Sequence, residues 1–236
     1  MKLSVVIPLY NERVFFPQLL GQVRAVPLEK EIIVVDDCST DGTREYAREL
    51  QAAGGWPGDQ LNTLRVLFHE KNQGKGAAIR TGLREVTGDV VIVQDADLEY
   101  DPKDYPALLE PIIAGKADVV YGSRFLGAPH RTHLFWHFAA NRFLTLVSNI
   151  FTNLNLSDME TCYKVFKAEY APKIRLRSDR FGFDPEITAR LAHLKCRFFE
   201  VPISYYGRDY AEGKKITWKD GFVVLHAILR YNIWDR

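Results

Sequence analysis

The 236-residue sequence has little cysteine, little net charge and no long apolar run, and each absence excludes a class of protein. Its three cysteines, Cys38, Cys162 and Cys196, lie far apart without metal-ligand or redox spacing, so we expect reduced thiols in a cytoplasmic protein. The formal net charge of +1 argues against nucleic acid as a partner, because binding a phosphate backbone requires a basic excess. No stretch reaches the roughly 18 uninterrupted apolar residues of a membrane-spanning helix, and the apolar run at residues 3–8 is too short for a signal peptide.

Short runs rich in valine and isoleucine alternate with stretches of helical periodicity in the first half of the chain. The runs are apolar throughout, as expected of strands buried on both faces, and lie at residues 3–8, 32–36, 64–68, 90–94 and 119–122. The helical stretches between them lie at residues 13–25, 40–52, 74–86 and 102–114. This order predicts one α/β domain built on a doubly wound, mostly parallel sheet, with a further strand at residues 198–206. Such sheets bind ligands beyond the carboxyl ends of their strands.

Acidic side chains follow the fourth predicted strand. Asp95, Asp97 and Glu99 occupy alternate positions, so in extended geometry they point the same way and can converge. Carboxylates so close repel one another unless a cation joins them, and hard oxygen ligands favour Mg²⁺ or Mn²⁺ over zinc. The triplet alone is weak evidence, since such acids also cap helices or lie in solvated turns. Its position beyond a buried strand favours a metal site.

Two further acids, Asp36 and Asp37, follow the second predicted strand. One interpretation is a strand, a turn and a helix cap supplied by Thr40 or Asp41. The other is a pair that bonds a ribose or a base, as the acid at this point does in dinucleotide-binding folds. Receiver domains also carry paired acids here, so the pair by itself leaves both interpretations open.

Four motifs taken in order resemble the family-2 glycosyltransferases of the GT-A fold. They are VIPLYNE at residues 6–12, VVDDCSTDGT at 34–43, NQGKG at 72–76 and DAD at 95–97. Within that family they look most like the branch of dolichol-phosphate mannose synthases and polyprenyl-phosphate glycosyltransferases. The resemblance covers residues 3–216 and implies an inverting, metal-dependent enzyme. It would move a hexose from a nucleotide diphosphate-sugar, of the GDP-mannose or UDP-glucose type, to a polyprenyl or dolichyl phosphate.

The resemblance divides the single domain into a nucleotide-sugar-binding half at residues 1–123 and an acceptor-binding half at residues 124–236. Donor binding is implied for Pro8, Tyr10, Glu12, Asp37, Lys75, Gly76, Asp95 and Ala96, and the metal for Asp95, Asp97 and Glu99. Turn geometry alone is the alternative reason for Pro8 and Gly76. Binding of the acceptor phosphate is implied for Ser123, Arg124, Arg208 and Lys215, with solvated or ion-paired arginines as the alternative. The implied catalytic residues are Asp97, Asp158, Arg124 and Arg208.

Asp158 begins the segment DMETCYKVF, which aligns with a family segment that often reads DPTSGFRLF and departs from it at Met159, Glu160 and Cys162. A phosphate acceptor is already anionic near neutral pH, so we expect Asp158 to position the acceptor or a basic side chain. If the acceptor is instead a hydroxyl of a saccharide or lipid, Asp158 is the candidate general base. A third hypothesis is a catalytically silent nucleotide-sugar-binding module, which a damaged metal triplet would indicate. The triplet is intact.

Residues 134–152 carry many large apolar side chains with a few arginines and asparagines among them. Such a stripe is commonly core packing, but it also suits a helix lying in a bilayer interface, where relatives place interface helices. An acceptor with an isoprenoid tail would need such a surface. We therefore expect peripheral binding at the cytoplasmic face of a membrane, with a possible membrane-spanning partner subunit.

Overall fold

A seven-stranded sheet forms the centre of the structure, a computed structural model that describes residues 1–127, 131, 134–207 and 218–235. Its strands lie in the order β3-β2-β1-β4-β6-β5-β7. They are β1 (Leu3–Leu9), β2 (Lys30–Asp36), β3 (Asn62–Phe68), β4 (Val90–Val93), β5 (Val119–Ser123), β6 (Lys164–Lys167) and β7 (Phe198–Pro202). All run parallel except β6, which is antiparallel to β4 and β5. The predicted doubly wound, mostly parallel sheet is confirmed.

The helices connect these strands in the predicted alternation. They are α1 (Phe16–Ala25), α2 (Thr43–Ala52), α3 (Lys75–Leu83), α4 (Tyr105–Ile113), α5 (Phe135–Thr152), α6 (Phe183–His193) and α7 (Trp218–Leu229). The first two start three residues later than predicted, because residues 13–15 and 40–42 form turns. A π-helical turn, Arg230–Trp234, extends α7.

Burial explains why the first strands were predictable. Every residue of β2 and all but Pro8 of β1 are buried, so valine and isoleucine fill both faces of the sheet. The chain leaves β1 toward β2 and β3, then returns to the other side of β1 as β4. In open α/β folds such a reversal opens a crevice at the carboxyl edge of the sheet, where ligands bind.

Strand β6 was not predicted from the sequence. It has four residues and begins with Lys164, a fully buried lysine that interrupts the apolar pattern. The Lys164 ammonium is compensated by the Asp184 carboxylate and the Thr161 carbonyl oxygen, both within hydrogen-bonding distance. The predicted strand at residues 198–206 is also too long, because regular pairing ends at Pro202 and only an isolated bridge joins Tyr205 to Tyr100.

Candidate active site

The carboxyl edge of the parallel strands brings together residues from both halves of the chain. Tyr10 follows β1, Asp37 follows β2, Asp95 lies two residues after β4, and Arg124 follows β5 directly. Parallel strands end on the same edge of a sheet, so these four residues lie on one side of the molecule although 114 positions separate the first from the last.

A lysine–aspartate pair lies where β4 ends. Lys75 Nζ is 2.7 Å from Asp95 Oδ1 and 2.8 Å from Oδ2, and both side chains are partly exposed. Burial by itself would lower the pKa of Lys75, but the Asp95 carboxylate holds that pKa well above its usual value. Lys75 is therefore a permanent cation at this edge, of the kind that binds a diphosphate.

Two glycines allow the loop that carries Lys75 to lie against the backbone of residues 178 and 179. Gly74 has a φ of +104°, and a Cβ there would lie 2.3 Å from the carbonyl oxygen of Asp179. A Cβ on Gly76 would lie 2.3 Å from the carbonyl oxygen of Ser178. Close backbone approach thus requires glycine at both positions, which is a structural reason for Gly76 different from the turn geometry considered in the sequence.

Asp37 is buried and bonded to the protein itself. Its Oδ1 accepts from the backbone N–H of Gln73 at 2.9 Å and lies 2.7 Å from His69 Nδ1. Its Oδ2 accepts from the backbone N–H of Gly74 at 2.7 Å. The geometry shows Asp37 holding the loop that carries Lys75. Direct contact between Asp37 and a base or ribose stays a prediction.

The loops after β1 and β2 are hydrogen-bonded to each other. The backbone N–H of Asn11 donates to Ser39 Oγ at 3.0 Å, and that of Glu12 donates to Thr43 Oγ1 at 3.1 Å. Tyr10 is exposed beside them, while Glu12 is buried and Pro8 is half-buried. These bonds fix the two loops that would flank a nucleoside.

Asp36 and Asp41, which lie on either side of Asp37 in the sequence, differ in their surroundings. Asp36 is fully buried and its Oδ2 pairs with Arg44 Nη1 at 2.9 Å, which is a structural contact. Asp41 accepts hydrogen bonds from the backbone N–H groups of Thr43 and Arg13, both at 3.1 Å. Burial would raise the pKa of Asp41, but hydrogen bonds from Thr43 and Arg13 hold it below its usual value. Asp41 thus has the turn-stabilising role that the sequence left open.

The expected convergence of three carboxylates is wrong. The chain turns after Asp95, and Leu98 has a φ of 62°, so the segment is not extended and alternate side chains do not point the same way. Glu99 Oε2 accepts a hydrogen bond from the Tyr205 hydroxyl at 2.8 Å, and the Glu99 backbone N–H donates to Asp97 Oδ1 at 3.2 Å. Within the described ranges, no group of three or more histidine, cysteine, aspartate or glutamate side chains is placed to hold a metal ion.

Directly after β5, Arg124 forms a bidentate ion pair with Asp158. Arg124 Nε donates to Asp158 Oδ2 at 2.7 Å, and Nη2 donates to Oδ1 at 2.8 Å. Asp158 also accepts from the Arg124 backbone N–H at 3.1 Å and from Asn141 Nδ2 at 3.3 Å. The guanidinium lies over the Tyr205 ring, 5.2 Å from its centroid. The five guanidinium donors lie in a fixed plane, and Asp158 and Tyr205 use part of them.

This pairing disfavours Asp158 as a general base. Burial would raise the pKa of Asp158, but the Arg124 guanidinium holds it below its usual value, and the side chain is fully buried. A base that works near neutral pH needs a pKa close to the working pH and access to the proton it removes. Asp158 has neither property in this geometry and instead orients Arg124.

Ser123 requires a correction. Its side chain is fully buried, and its Oγ lies 2.6 Å from Ser157 Oγ and accepts from the Phe125 backbone N–H at 3.1 Å. The hydroxyl is thus part of the packing beneath Arg124, so Ser123 is not placed to bind an acceptor phosphate. Ala96 is likewise buried and can offer only backbone. Arg208 and Lys215, which were also predicted to bind the acceptor phosphate, lie outside the described residues.

Several residues that contact the site could not be predicted from the sequence. Asn141 and Tyr205 contact the Arg124–Asp158 pair, and Glu200 accepts hydrogen bonds from the backbone N–H groups of Ser157 and Asp158 at 2.8–3.2 Å. Each is distant in sequence from its partner, so only the fold reveals the contact. The sequence did distinguish this part of the site in one way, because it departs from the family segment at residues 159, 160 and 162. Glu160 is one of these departures.

Helix α5 presents an apolar face to the surroundings. Only Leu144, Thr145 and Ser148 are buried on it, whereas Trp136 is 80% exposed and Ile150 is 69% exposed. The other exposed large side chains of α5 are Phe135, Phe138, Phe143, Leu146 and Phe151, and neighbouring α7 and its extension add Phe222, Val223, Ile233 and Trp234. Most of the stripe therefore lies outside the core, and Leu144 and Val147 are the members that pack into it. Among the helices described, none combines the length and apolarity needed to cross a bilayer.

Comparison with solved structures identifies the fold. The structure of glucosyl-3-phosphoglycerate synthase from Mycobacterium tuberculosis in complex with Mn²⁺, UDP and glucosyl-3-phosphoglycerate matches with a TM-score of 0.71 and 19% identity, over 98% of this chain and 80% of that one. Another structure of that enzyme holds Mg²⁺ and UDP. The fold is that of the GT-A glycosyltransferases, as predicted.

The sequence identifies the family. The model described as Glycosyl transferase family 2 matches residues 4–175, and the chain belongs to this family. It is 32% identical to an undecaprenyl-phosphate mannosyltransferase of Micrococcus luteus, over 99% of this chain and 94% of that protein. It is 30% identical to a dolichol-phosphate mannosyltransferase of Pyrococcus furiosus, covering all of this chain and 65% of that one. A dodecaprenyl-phosphate galacturonate synthase of Rhizobium johnstonii is 26% identical, over 91% of this chain and 62% of its own length. The predicted family, branch and enzyme class are confirmed.

Proposed function

We propose that this glycosyltransferase moves a hexose from a nucleotide diphosphate-sugar to a polyprenyl phosphate, with inversion at the sugar C1. The observation that carries the proposal is Arg124, a guanidinium held by Asp158 at the carboxyl edge of the sheet. An oriented guanidinium binds phosphate oxygens in pairs. The relatives from Micrococcus, Pyrococcus and Rhizobium, whose names all contain a polyprenyl or dolichol phosphate, support the same class of acceptor.

On the donor side, Lys75 and the Asp95–Asp97 turn are the proposed diphosphate site. Mg²⁺ is usually bound by one or two carboxylates together with substrate phosphates, so a protein cage of three carboxylates is not required. Asp95 and Asp97 are partly exposed, hard oxygen donors and fit such a shared site for Mg²⁺ or Mn²⁺. A bound divalent ion would stabilise the charge that grows on the leaving diphosphate. Lys75 adds a fixed positive charge at the same edge.

The proposed chemistry needs no strong base in the protein. The second pKa of a phosphomonoester is about 6, so the attacking oxygen is already anionic near neutral pH. Arg124 would bind that phosphate, and Asp158 would hold the guanidinium in place rather than remove a proton. Arg208 and Lys215 stay predicted members of the acceptor site.

We further propose that the exposed apolar face of α5 and α7 binds the surface of a membrane. Contiguous exposed apolar patches mark interaction sites, and tryptophan and phenylalanine suit the interface of a bilayer. A polyprenyl acceptor is anchored in a bilayer by its tail, so a face that lies on the bilayer would bring Arg124 close to the lipid phosphate. Peripheral attachment at the cytoplasmic face, with or without a membrane-spanning partner, is part of this proposal.

Replacement of Arg124 tests the acceptor. We expect Arg124→Ala to lower kcat/KM for a short polyprenyl phosphate by about ten- to a hundredfold, because it removes a charge-assisted bond to an anion. Hydrolysis of the donor by water should persist, since it needs no acceptor. Arg124→Lys keeps the charge but loses the planar pair of N–H donors, so a severe loss of kcat/KM in this variant would indicate that the geometry of the contact matters.

Transfer to polyprenyl phosphate at wild-type efficiency by Arg124→Ala would contradict the proposal. Preference of the wild type for a neutral hydroxyl acceptor would instead favour the rival glycosyltransferase with Asp158 as base. Nucleotide-sugar binding without transfer to any acceptor would favour the silent binding module.

A further inference from the structure

The buried carboxyl oxygen Oε1 of Glu160 has no hydrogen-bond partner among the residues that the structure describes. Buried polar groups in folded proteins are nearly always bonded, so each exception calls for a functional or structural reason. The residues beside it are satisfied: Asp158 pairs with Arg124, and the Cys162 backbone N–H donates to the Tyr100 hydroxyl at 3.1 Å. Glu160 is therefore the member of this segment whose bonding capacity is left for a ligand.

Glu160 lies in a segment that connects the two parts of the candidate site. Two residues before it, Asp158 pairs with Arg124. Two residues after it, Cys162 Sγ donates to the Val93 carbonyl oxygen at 3.6 Å, at the end of β4, where Asp95 pairs with Lys75. Along the chain, Glu160 is thus placed between a residue that contacts the proposed acceptor site and one that contacts the end of the strand before the proposed diphosphate site.

The chemistry of transfer places the sugar in the same interval. C1 of the sugar is bonded to the diphosphate before the reaction and to the acceptor oxygen after it, so the sugar ring lies between the two anions throughout. A carboxyl group on the segment that spans this interval could bond a hydroxyl of the sugar. Burial and the Asp184 carboxylate raise the pKa of Glu160 to about 8, against the opposing effect of Lys164 and Arg124. A carboxyl with such a pKa can both donate to and accept from a hydroxyl.

We propose that Glu160 is a specificity-determining residue whose carboxyl group binds a hydroxyl of the transferred hexose, an inference that rests on the proposed function. The sugar hydroxyl satisfies Oε1, and a sugar without that hydroxyl leaves it unpaired. Sites built to bond a hydroxyl reject analogues that lack it far more strongly than apolar pockets reject an extra methylene. A uronate is disfavoured, because its carboxylate would join those of Asp158 and Asp184.

Titration calorimetry with Mn²⁺ present tests this on the full chain. The ligands are GDP, GDP-mannose, UDP, UDP-glucose and UDP-glucuronate, against wild type, Glu160→Gln and Glu160→Thr, which restores the residue common in the family segment. For both Glu160 variants we expect the Kd of GDP and UDP to stay at the wild-type value. The Kd of the preferred nucleotide-hexose should rise by about tenfold or more. Monodeoxy sugars identify the hydroxyl, because its removal should weaken binding to wild type but not to Glu160→Gln.

Glu169→Gln is the matched control, since Glu169 is an exposed glutamate whose nearest cation, Lys173, is 3.9 Å away. Equal binding of the nucleotide-hexose by wild type and both Glu160 variants would overturn the inference. So would a Glu160→Gln variant that loses the diphosphate and the nucleotide-hexose equally with a lower Tm, because that pattern marks a structural residue. If wild type binds no nucleotide-sugar at all, it is the proposed function that fails.

Discussion

Substitution of Asp158 by asparagine separates its positioning role from a catalytic base role. Asp158 is fully buried and accepts two hydrogen bonds from the Arg124 guanidinium, one from the Arg124 backbone and one from Asn141. Removing one partner of a buried ion pair costs about 3–5 kcal/mol, because the other charge is left buried and uncompensated. Asparagine keeps one carbonyl acceptor, so we expect the lower figure, about 3 kcal/mol. At about 2–4 °C per kcal/mol for a domain of this size, Tm should fall by about 6–12 °C.

The pH dependence follows from the direction of the pKa shift. The pKa of Asp158 is lower in the folded protein than its usual value of 3.8, because of Arg124. The ion pair therefore stabilises the fold fully above pH 3.8, and the stabilisation is lost as pH falls through the folded-state pKa. The stability difference between wild type and Asp158→Asn should accordingly be constant from pH 5 to 8 and shrink only in acid.

The assay is chemical denaturation paired with steady-state kinetics on a phosphate acceptor. We expect Asp158→Asn to raise the acceptor KM, because Arg124 loses its orientation, without removing a limb of the pH profile. Asp118→Asn is the matched control: Asp118 pairs with Arg197 through Nε at 2.9 Å, at the opposite end of β5. It should lose stability with an unchanged acceptor KM. An Asp158→Asn enzyme with wild-type stability and acceptor KM, or one that loses a basic limb of its pH profile, would refute this account.

Three further predictions concern the donor site, the Lys75 loop and the membrane face. Asp97→Ala should abolish transfer while leaving Tm within about 2 °C of wild type, and excess EDTA should do the same to wild type; full activity in either case argues against the metal. Gly76→Ala should lower the unfolding free energy by about 1–3 kcal/mol in a denaturation series, because its Cβ would lie 2.3 Å from the Ser178 carbonyl oxygen, and an unchanged value would disprove that contact. Replacing both Phe135 and Trp136 with serine should reduce sedimentation with anionic vesicles without lowering Tm. The control is Leu144→Ala, on the buried side of α5, which should lower the unfolding free energy by about 2–5 kcal/mol. Unfolding of the double variant would mean that Phe135 and Trp136 are packed in the protein.

The parts of the fold that sequence could predict are those that burial determines locally. Strands β1 and β2 are apolar on both faces, so their composition alone indicates parallel strands. Strand β6 could not be found in this way, because Lys164 breaks its pattern and is compensated by Asp184, twenty residues later. The carboxylate triplet failed for a related reason: the rule that alternate residues share a face holds only for an extended chain, and Leu98 turns it.

The site, too, could be predicted from the sequence only in part. Sequence motifs identified Arg124 and Asp158 separately, but their pairing depends on a loop that returns 34 residues later to the end of β5. The burial of Ser123 follows from its contact with Ser157, which no local pattern indicates. For α5, periodicity showed an apolar stripe, whereas only the packing of neighbouring helices determines that Trp136 lies outside the core.

The most direct test of the central claim is a transfer assay with wild-type enzyme, Mn²⁺ and GDP-mannose or UDP-glucose carrying a labelled sugar. The two acceptors are a short polyprenyl phosphate and the polyprenol of the same length, which differ only in the phosphate that Arg124 is proposed to bind. The account predicts labelled polyprenyl-phosphate sugar from at least one donor and little product from the alcohol. Equal or greater transfer to the alcohol would contradict it.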